Sequence, residues 1–288
     1  MSSARRIRVA RGAELVAKGV MGSVALVVAG LAVAILGYIV YQGIGAIDLG
    51  FLTGVPKNRG REGGIYPIII GTAYTVLATA AIALPVGVMA GIYLSEYAPR
   101  NLATRAIRLA ITNMAGVPSI VYGLFGLAAF VLGAGLGRSI AAAALTLACM
   151  TLPVVITATE EALRQIPQDI RHASLALGAT KLRTIGKIVL PAAMPGIVTG
   201  SILGLARAAG ETAPILFTGA VFQMRRIPDS PLSQFMALPY HIYAQVTSVP
   251  DWNRSLVWGT ALVLVASVSL VSVAAATWRS FQRRRIKW

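Results

Sequence analysis

A single cysteine, Cys149, in 288 residues rules out an internal disulfide framework and any CxxC site for zinc or redox chemistry. It lies inside an apolar run and reads as a small core residue. Histidine is nearly as scarce: His172 and His241 are the only two. No H-E-x-x-H or G-x-S-x-G run is present, so the inventory of an intramembrane protease or hydrolase is missing. A G-x-x-x-x-G-K-[ST] phosphate loop is absent as well, so any ATP-hydrolysing motor must be another chain. Charged residues make up only 12%, and they are one-sided, with ten acids against 26 lysines and arginines and a net charge of +16. These basic residues sit at the ends of apolar runs and not on one amphipathic face, which points to membrane topology and away from nucleic acid.

What the chain has in excess is apolar surface. At 56% hydrophobic residues and a mean hydropathy of +0.73, it carries more than a soluble domain of this length can bury. Six runs are long enough to span a bilayer, at about Met21 to Gln42, Tyr66 to Leu94, Ala106 to Leu132, Ser139 to Thr159, Ala192 to Val221 and Ser255 to Trp278. The first is too long for a signal-peptide core and reads as an uncleaved span. One membrane domain over 1–288 is expected: a basic segment and first helix over 1–43, a core over about 66–278, and a basic tail over 279–288.

Six spans place both termini on one side. Segments on that side hold 18 lysines and arginines, the opposite segments hold seven, and Arg207 falls inside a span. The positive-inside rule therefore puts the termini and the polar stretch near Gly178 in the cytoplasm.

Pro85, Pro118, Pro153, Pro195 and Pro214 punctuate the spans. Each can be a packing kink, or the set can mark broken helices whose freed carbonyls line a pathway. Gly196, Gly200 and Gly204 form a small-residue stripe that lets another helix approach closely. Between the last two spans, Phe222 to Arg254 mixes prolines with aromatic residues. Ser230 before Pro231, with Leu232, Phe235 and Met236, predicts a short capped amphipathic helix that anchors at the interface, covers an outer mouth or receives an external partner.

The long polar stretch is Glu160 to Pro191. Pro167 suits a first helical position, Gly178 a left-handed C-terminal cap, and Thr180 the cap of a second helix. Ile170, Ala173 and Leu177 recur at helical spacing on a narrow apolar face. A solvated connecting loop would satisfy this periodicity. The spacing of Gly178 to Ile188-Val189-Leu190-Pro191, however, resembles the EAA loop of ABC importer permeases, with His172, Ala173 and Ser174 standing where Glu-Ala-Ala is usual. The resemblance implies a coupling helix, formed around Ile170, His172, Ala173, Ser174, Leu177, Gly178 and Ala179, that lies in a groove on an ATPase subunit.

Within the fifth run, Arg207 and Glu211 are four residues apart and can pair on one helix face. Two such charges at the bilayer centre cost about 5 to 7 kcal/mol before pairing. The base precedes the acid, which is the weaker order for a purely structural pair. An arginine held by a glutamate can instead present its planar fork to an oxyanion. The run Gly210-Glu211-Thr212-Ala213-Pro214, with Gly116-Val117-Pro118-Ser119-Ile120-Val121-Tyr122-Gly123 and Tyr93-Leu94-Ser95-Glu96-Tyr97-Ala98-Pro99, resembles the PstA-type permease family of bacterial phosphate ABC importers over about residues 66–220.

That resemblance implies an all-α, six-helix type I importer fold in the bacterial inner membrane. It also implies a PstC-type permease partner, two PstB-type ATPase subunits and a PstS-type phosphate-binding protein. Arg207, Glu211 and Thr212 are the implied pathway residues. No cofactor is expected on this chain, with ATP and Mg held by the ATPases. Sulfate, molybdate and phosphonate importers share the coupling loop, so the Gly210 to Pro214 run carries the discrimination. A passive channel, expected to show rings of like charge, does not explain a docking loop.

Overall fold

A computed structural model describes residues 3–222, 224 and 226–285. Its helices are α1 (Ser3–Gly43), α2 (Leu49–Thr53), α3 (Tyr66–Ile92), α4 (Leu102–Ala115), α5 (Ser119–Gly126), α6 (Ile140–Arg164), α7 (Gln168–Ala176), α8 (Lys181–Thr184), α9 (Leu190–Gly210), α10 (Ala213–Thr218), α11 (Leu238–Ser248) and α12 (Arg254–Arg285). Between α2 and α3, β1 (Pro56–Lys57) pairs antiparallel with β2 (Glu62–Gly63). Five helical segments are long and apolar enough to cross a membrane, and α4 with α5 makes a sixth if counted as one bent span. The six-helix architecture expected from the sequence is thus present.

Helix α6 is the axis of the bundle. In its apolar window 67% of the residues are buried, against none for α1, which touches the rest mainly where Tyr38 and Gly43 meet Trp258 of α12. Helices α3 and α9 flank α6. Close approach is possible because small residues line both seams. A methyl group at Gly87 would lie 2.7 Å from Val155, one at Gly196 would lie 2.8 Å from the Ala162 Cβ, and one at Gly200 would overlap Ala158. The glycine stripe is therefore a packing seam between α9 and α6, as its spacing predicts. Buried threonines do not disturb this interior, since Thr75, Thr79, Thr146 and Thr151 each donate to the carbonyl four residues back.

Two predicted spans are not single helices. The third run is broken into α4 and α5, which meet at 101°. Pro118 disfavours a helical conformation at Val117 and has no N–H for Met114, so the chain turns there. Tyr122 Oη donates instead to the Met114 carbonyl at 2.9 Å. The fifth run also shifts. A 30-residue segment from Lys181 to Gly210 passes from α8 through a π-helical stretch, Ile185–Val189, into α9, and then stops. That wide turn precedes Pro191 and makes room for its ring. The polar loop is correspondingly shorter than 160–191, because α6 continues to Arg164 and the next spanning segment begins at Lys181.

The segment after α10 departs from expectation. Around Ser230 and Pro231 the chain forms a turn, not an amphipathic helix. Phe235 and Met236 are fully buried in the core with Ile65, Ile68 and Leu147, and Val221 N donates to Phe235 O. An interfacial helix would leave those side chains against lipid; burying them in the core removes more apolar surface from contact with water and polar groups. The helix in this region is α11, which carries His241.

His241 ties three segments at the end of the bundle opposite α7. Thr260 Oγ1 donates to Leu256 O, so it accepts from His241 Nδ1–H at 3.2 Å, while Gln245 Nε2 donates to His241 Nε2 and to Gly60 O. Burial pushes the imidazole pKa down to about 4. Because the unfolded chain binds a proton near the ordinary value of 6.5 and the folded chain does not, stability is full above that pH and is lost as pH falls toward 4. Acidification from about pH 7.5 to about pH 5 is expected to cost about 2 kcal/mol from this group alone. Thermal melting of the purified protein should show this slope, and His241→Gln should flatten it.

Candidate functional site

The Arg207–Glu211 pair lies where the fifth span stops. Gly210 weakens the helix end, and Pro214 in the first turn of α10 offers no N–H to the Gly210 carbonyl. Glu211 is consequently extended, with φ −75° and ψ 133°. The pair therefore does not share a continuous helix face, as its spacing suggested, but spans a helix end. Arg207 Nε lies 3.5 Å from Glu211 Oε1. Glu211 is the deeper partner, its side chain 16% exposed against 47% for Arg207. Neither terminal nitrogen of Arg207 has a hydrogen-bond partner among the described residues. Thr212 sits at the start of α10 and caps it with no side-chain bond.

The two interrupted spans meet. Gly123 of α5 lies against the Ala213 carbonyl and Pro214, and Thr218 Oγ1 donates to Pro214 O within α10. Non-helical backbone at membrane depth is tolerated only where protein covers it or a cavity adjoins it. Here protein covers it, since α5 packs on the Ala213–Pro214 backbone through Gly123. A cleft of about 490 Å³ runs along the α6–α9 seam, with Thr112, Thr157, Glu161, Thr199, Leu203 and Arg279 on its walls. Leu203, one turn before Arg207 on α9, is the last α9 residue on its wall, so the cleft stops one turn short of the exposed guanidinium.

The polar loop forms the second candidate region. Pro167 occupies the capping position, with φ −56° and ψ 143°, and Gln168 is the first helical residue, one later than predicted. Gly178 ends α7 at φ +82°, with Gly178 N donating to Leu175 O and Ala179 N to Ser174 O. This is a Schellman cap. Thr180 then caps α8 by accepting from Arg183 N. Ala173 and His172 are exposed, Leu177 is 90% exposed and Leu182 is 74% exposed, while Ile170 is half-buried. Ser174 faces inward, its Oγ 2.8 Å from Thr184 Oγ1. The predicted residues thus divide into an outer face, Ala173 with Leu177, and an inner anchor, Ser174.

Gly178→Val is expected to cost about 1 to 2 kcal/mol, since a β-branched side chain does not suit a left-handed backbone although nothing lies within 4 Å of the site. The loss should appear as a lower melting temperature of the purified protein, with Gly178→Asn near wild type.

Sequence reasoning missed the arginine that holds this loop. Arg171, 9% exposed, donates through Nη2 to Glu96 Oε1 at 2.8 Å and to Leu163 O at 2.8 Å, and through Nη1 to Ile166 O at 2.6 Å. Glu96 belongs to a π-helical turn, Tyr93–Tyr97, that ends α3. Beside it, Arg108 of α4 donates to Leu94 O and its Nε lies 2.8 Å from Glu160, which also accepts from Arg164. The signal was present: Glu96 is the one acid in Tyr93 to Pro99, and Arg171 directly precedes the loop's His172-Ala173-Ser174.

Comparison with known proteins agrees with this geometry. The family described as "Binding-protein-dependent transport system inner membrane component" matches residues 83–288. The chain is 34% identical over 274 residues to "Probable ABC transporter permease protein YqgI" of Bacillus subtilis (strain 168), covering 91% of this chain and 93% of that protein. It is 39% identical over 223 residues to "Phosphate transport system permease protein PstA 1" of Mycobacterium tuberculosis (strain ATCC 25618 / H37Rv), covering 77% and 72%. With "Probable phosphate transport system permease protein PstA" of Methanocaldococcus jannaschii it shares 36% identity over 218 residues, 75% of each. Among solved structures, the inward-facing MetNI methionine ABC transporter matches at a TM-score of 0.61 and 20% identity, over 76% of this chain and 97% of that one, which supports the fold. Interrupted apolar spans, a capped polar loop with an exposed apolar face, and these matches lead to one conclusion: the chain belongs to the binding-protein-dependent transport system inner membrane component family and is a multi-pass permease subunit with the ABC importer permease fold.

Proposed function

We propose that this chain is the PstA-type subunit of an ATP-driven phosphate importer. The observation that carries the reading is the Arg207–Glu211 pair at the broken end of α9, with the Arg207 terminal nitrogens open and the cleft one turn away. A planar guanidinium with both terminal nitrogens free suits a tetrahedral oxyanion, and Glu211 lies behind it on the Nε side. Relatives named for phosphate transport support the choice of anion. In this reading Arg207, Glu211 and Thr212 border the route, and the cleft between α6 and α9 forms its cytoplasmic part.

The partners follow from the same reading. An importer permease works with ATPase and binding-protein subunits, here a PstC-type permease across the route, two PstB-type ATPases and a PstS-type binding protein. The chain performs no catalysis and holds no cofactor, ATP and Mg being bound by the ATPases. The basic excess on the α7 side supports an inner-membrane orientation with both termini cytoplasmic. The face of Ala173, Leu177 and Leu182 is the ATPase-docking surface, a small apolar helix face of the kind grooves accept.

The test is ATP hydrolysis and uptake by the reconstituted assembly. Binding protein loaded with phosphate should stimulate both, and sulfate should stimulate neither. Stimulation by sulfate alone would assign the chain to another anion.

A further inference from the structure

We propose that Arg171 is the positioning residue that transmits movement of the docking loop to the membrane spans; the inference rests on the importer reading above. One guanidinium joins three elements. It belongs to α7, it donates to the Leu163 carbonyl in the last turn of α6 and to the Ile166 carbonyl just beyond it, and it pairs with Glu96 at the end of α3. Both charged side chains are nearly buried, 11% and 8% exposed, so neither has water to replace the other.

The arrangement divides the α7–α8 loop into two faces with different tasks. Ala173, Leu177 and Leu182 point outward, whereas Arg171 and Ser174 point into the bundle. Ser174 meets Thr184 at the start of the helix that becomes α9, and Lys181 Nζ lies 4.8 Å over the ring of Tyr97, next to Glu96. A displacement imposed on the outer face therefore reaches α3 and α6 through Arg171, and α9 through Ser174. The spans α3 and α9 both enter this junction through π-helical turns, Tyr93–Tyr97 and Ile185–Val189, whose wider rings are a recurrent feature of functional sites. Among the charged groups at the junction, Arg171 alone contacts both α3 and α6 from the loop. Arg108 links α4 to α6 through Glu160 and to the end of α3 through the Leu94 carbonyl, but it has no hydrogen bond or ion pair to α7 among the described residues.

Lysine cannot reproduce this geometry, because a single ammonium on a flexible stem cannot serve the Glu96 carboxylate and two separate carbonyls with the same fixed fork. Glu96→Gln is the milder change, keeping an acceptor for Arg171 while removing the charge.

Arg171→Lys and Glu96→Gln should be placed in the complete importer in proteoliposomes and supplied with phosphate-loaded binding protein. The expected result is normal co-purification of the ATPase, hydrolysis that no longer depends on loaded binding protein, and phosphate moved per ATP lowered roughly tenfold, within the span of ordinary coupling between sites. A purely structural role would reduce the amount of complex and leave phosphate per ATP unchanged. That unchanged ratio, or loss of the ATPase from the Glu96→Gln complex, would overturn the proposal. Failure of the importer reading looks different, since it shows in the wild type. If sulfate in place of phosphate stimulates the wild-type complex, the choice of substrate falls, and the ratio is then read with sulfate.

Discussion

Arg207→Gln is expected to reduce phosphate uptake roughly 100-fold or more while the complex still assembles. Glutamine keeps a polar side chain but loses the charge and the fork, and two charge-assisted hydrogen bonds to an oxyanion are each worth about 1.5 to 3 kcal/mol. The effect on folding should be small, because the Arg207 side chain is nearly half exposed and its contact with Glu211 is a long 3.5 Å. Assembly is measured by co-purification and function by uptake in the same cells. The double variant Arg207→Gln, Glu211→Gln separates the two possible roles. A structural pair would be relieved by neutralising both partners, and uptake would return. A route residue would not be rescued, and recovered uptake in the double variant would remove Arg207 from the pathway.

Gly200→Val should abolish accumulation of folded protein. The added Cβ would overlap the Ala158 Cβ, and that methyl is fixed to the α6 backbone and cannot rotate away, so the two helices must separate. Overpacking of a tight seam costs about 1 to 3 kcal/mol or more, and the valine branches add to it. Protein level and detergent melting temperature report the loss. Gly200→Ala should be partly destabilised and should recover when combined with Ala158→Gly, which returns the missing space. Gly186→Ala, with nothing within 4 Å, is the control and should be neutral. An unaltered melting temperature for Gly200→Val would mean that α6 and α9 are not in contact along this stripe.

Much of the architecture follows from the sequence alone. Continuous apolar runs, interrupted by basic flanks, identify membrane spans because the cost of exposing backbone and charge to hydrocarbon leaves few alternatives. Local rules also served the loop well. Gly178 at φ +82° and the Thr180 cap depend on the chemistry of one or two residues, and they appear where the sequence places them. The glycine stripe is of the same kind, since a repeat of three small residues on one helix has little use except close approach.

Tertiary structure decided the rest. Whether Gly210 and Pro214 would bend a continuous span or end it depended on a neighbour, α5, whose own break lets it pack on the freed backbone. Phe235 and Met236 read as one face of a short amphipathic helix because a sequence shows hydrophobicity but not which core a segment will fill. The partners of Arg171 were equally hidden. A basic residue in a polar loop normally faces water, and only the convergence of the α3 end, the carbonyls at and just beyond the end of α6 and α7 makes burial of this charge favourable, through a carboxylate 75 positions away in the chain. Contacts of that separation leave no periodic trace, so the sequence determines the spans, the cap and the stripe, and the packing of span ends determines which charges work together.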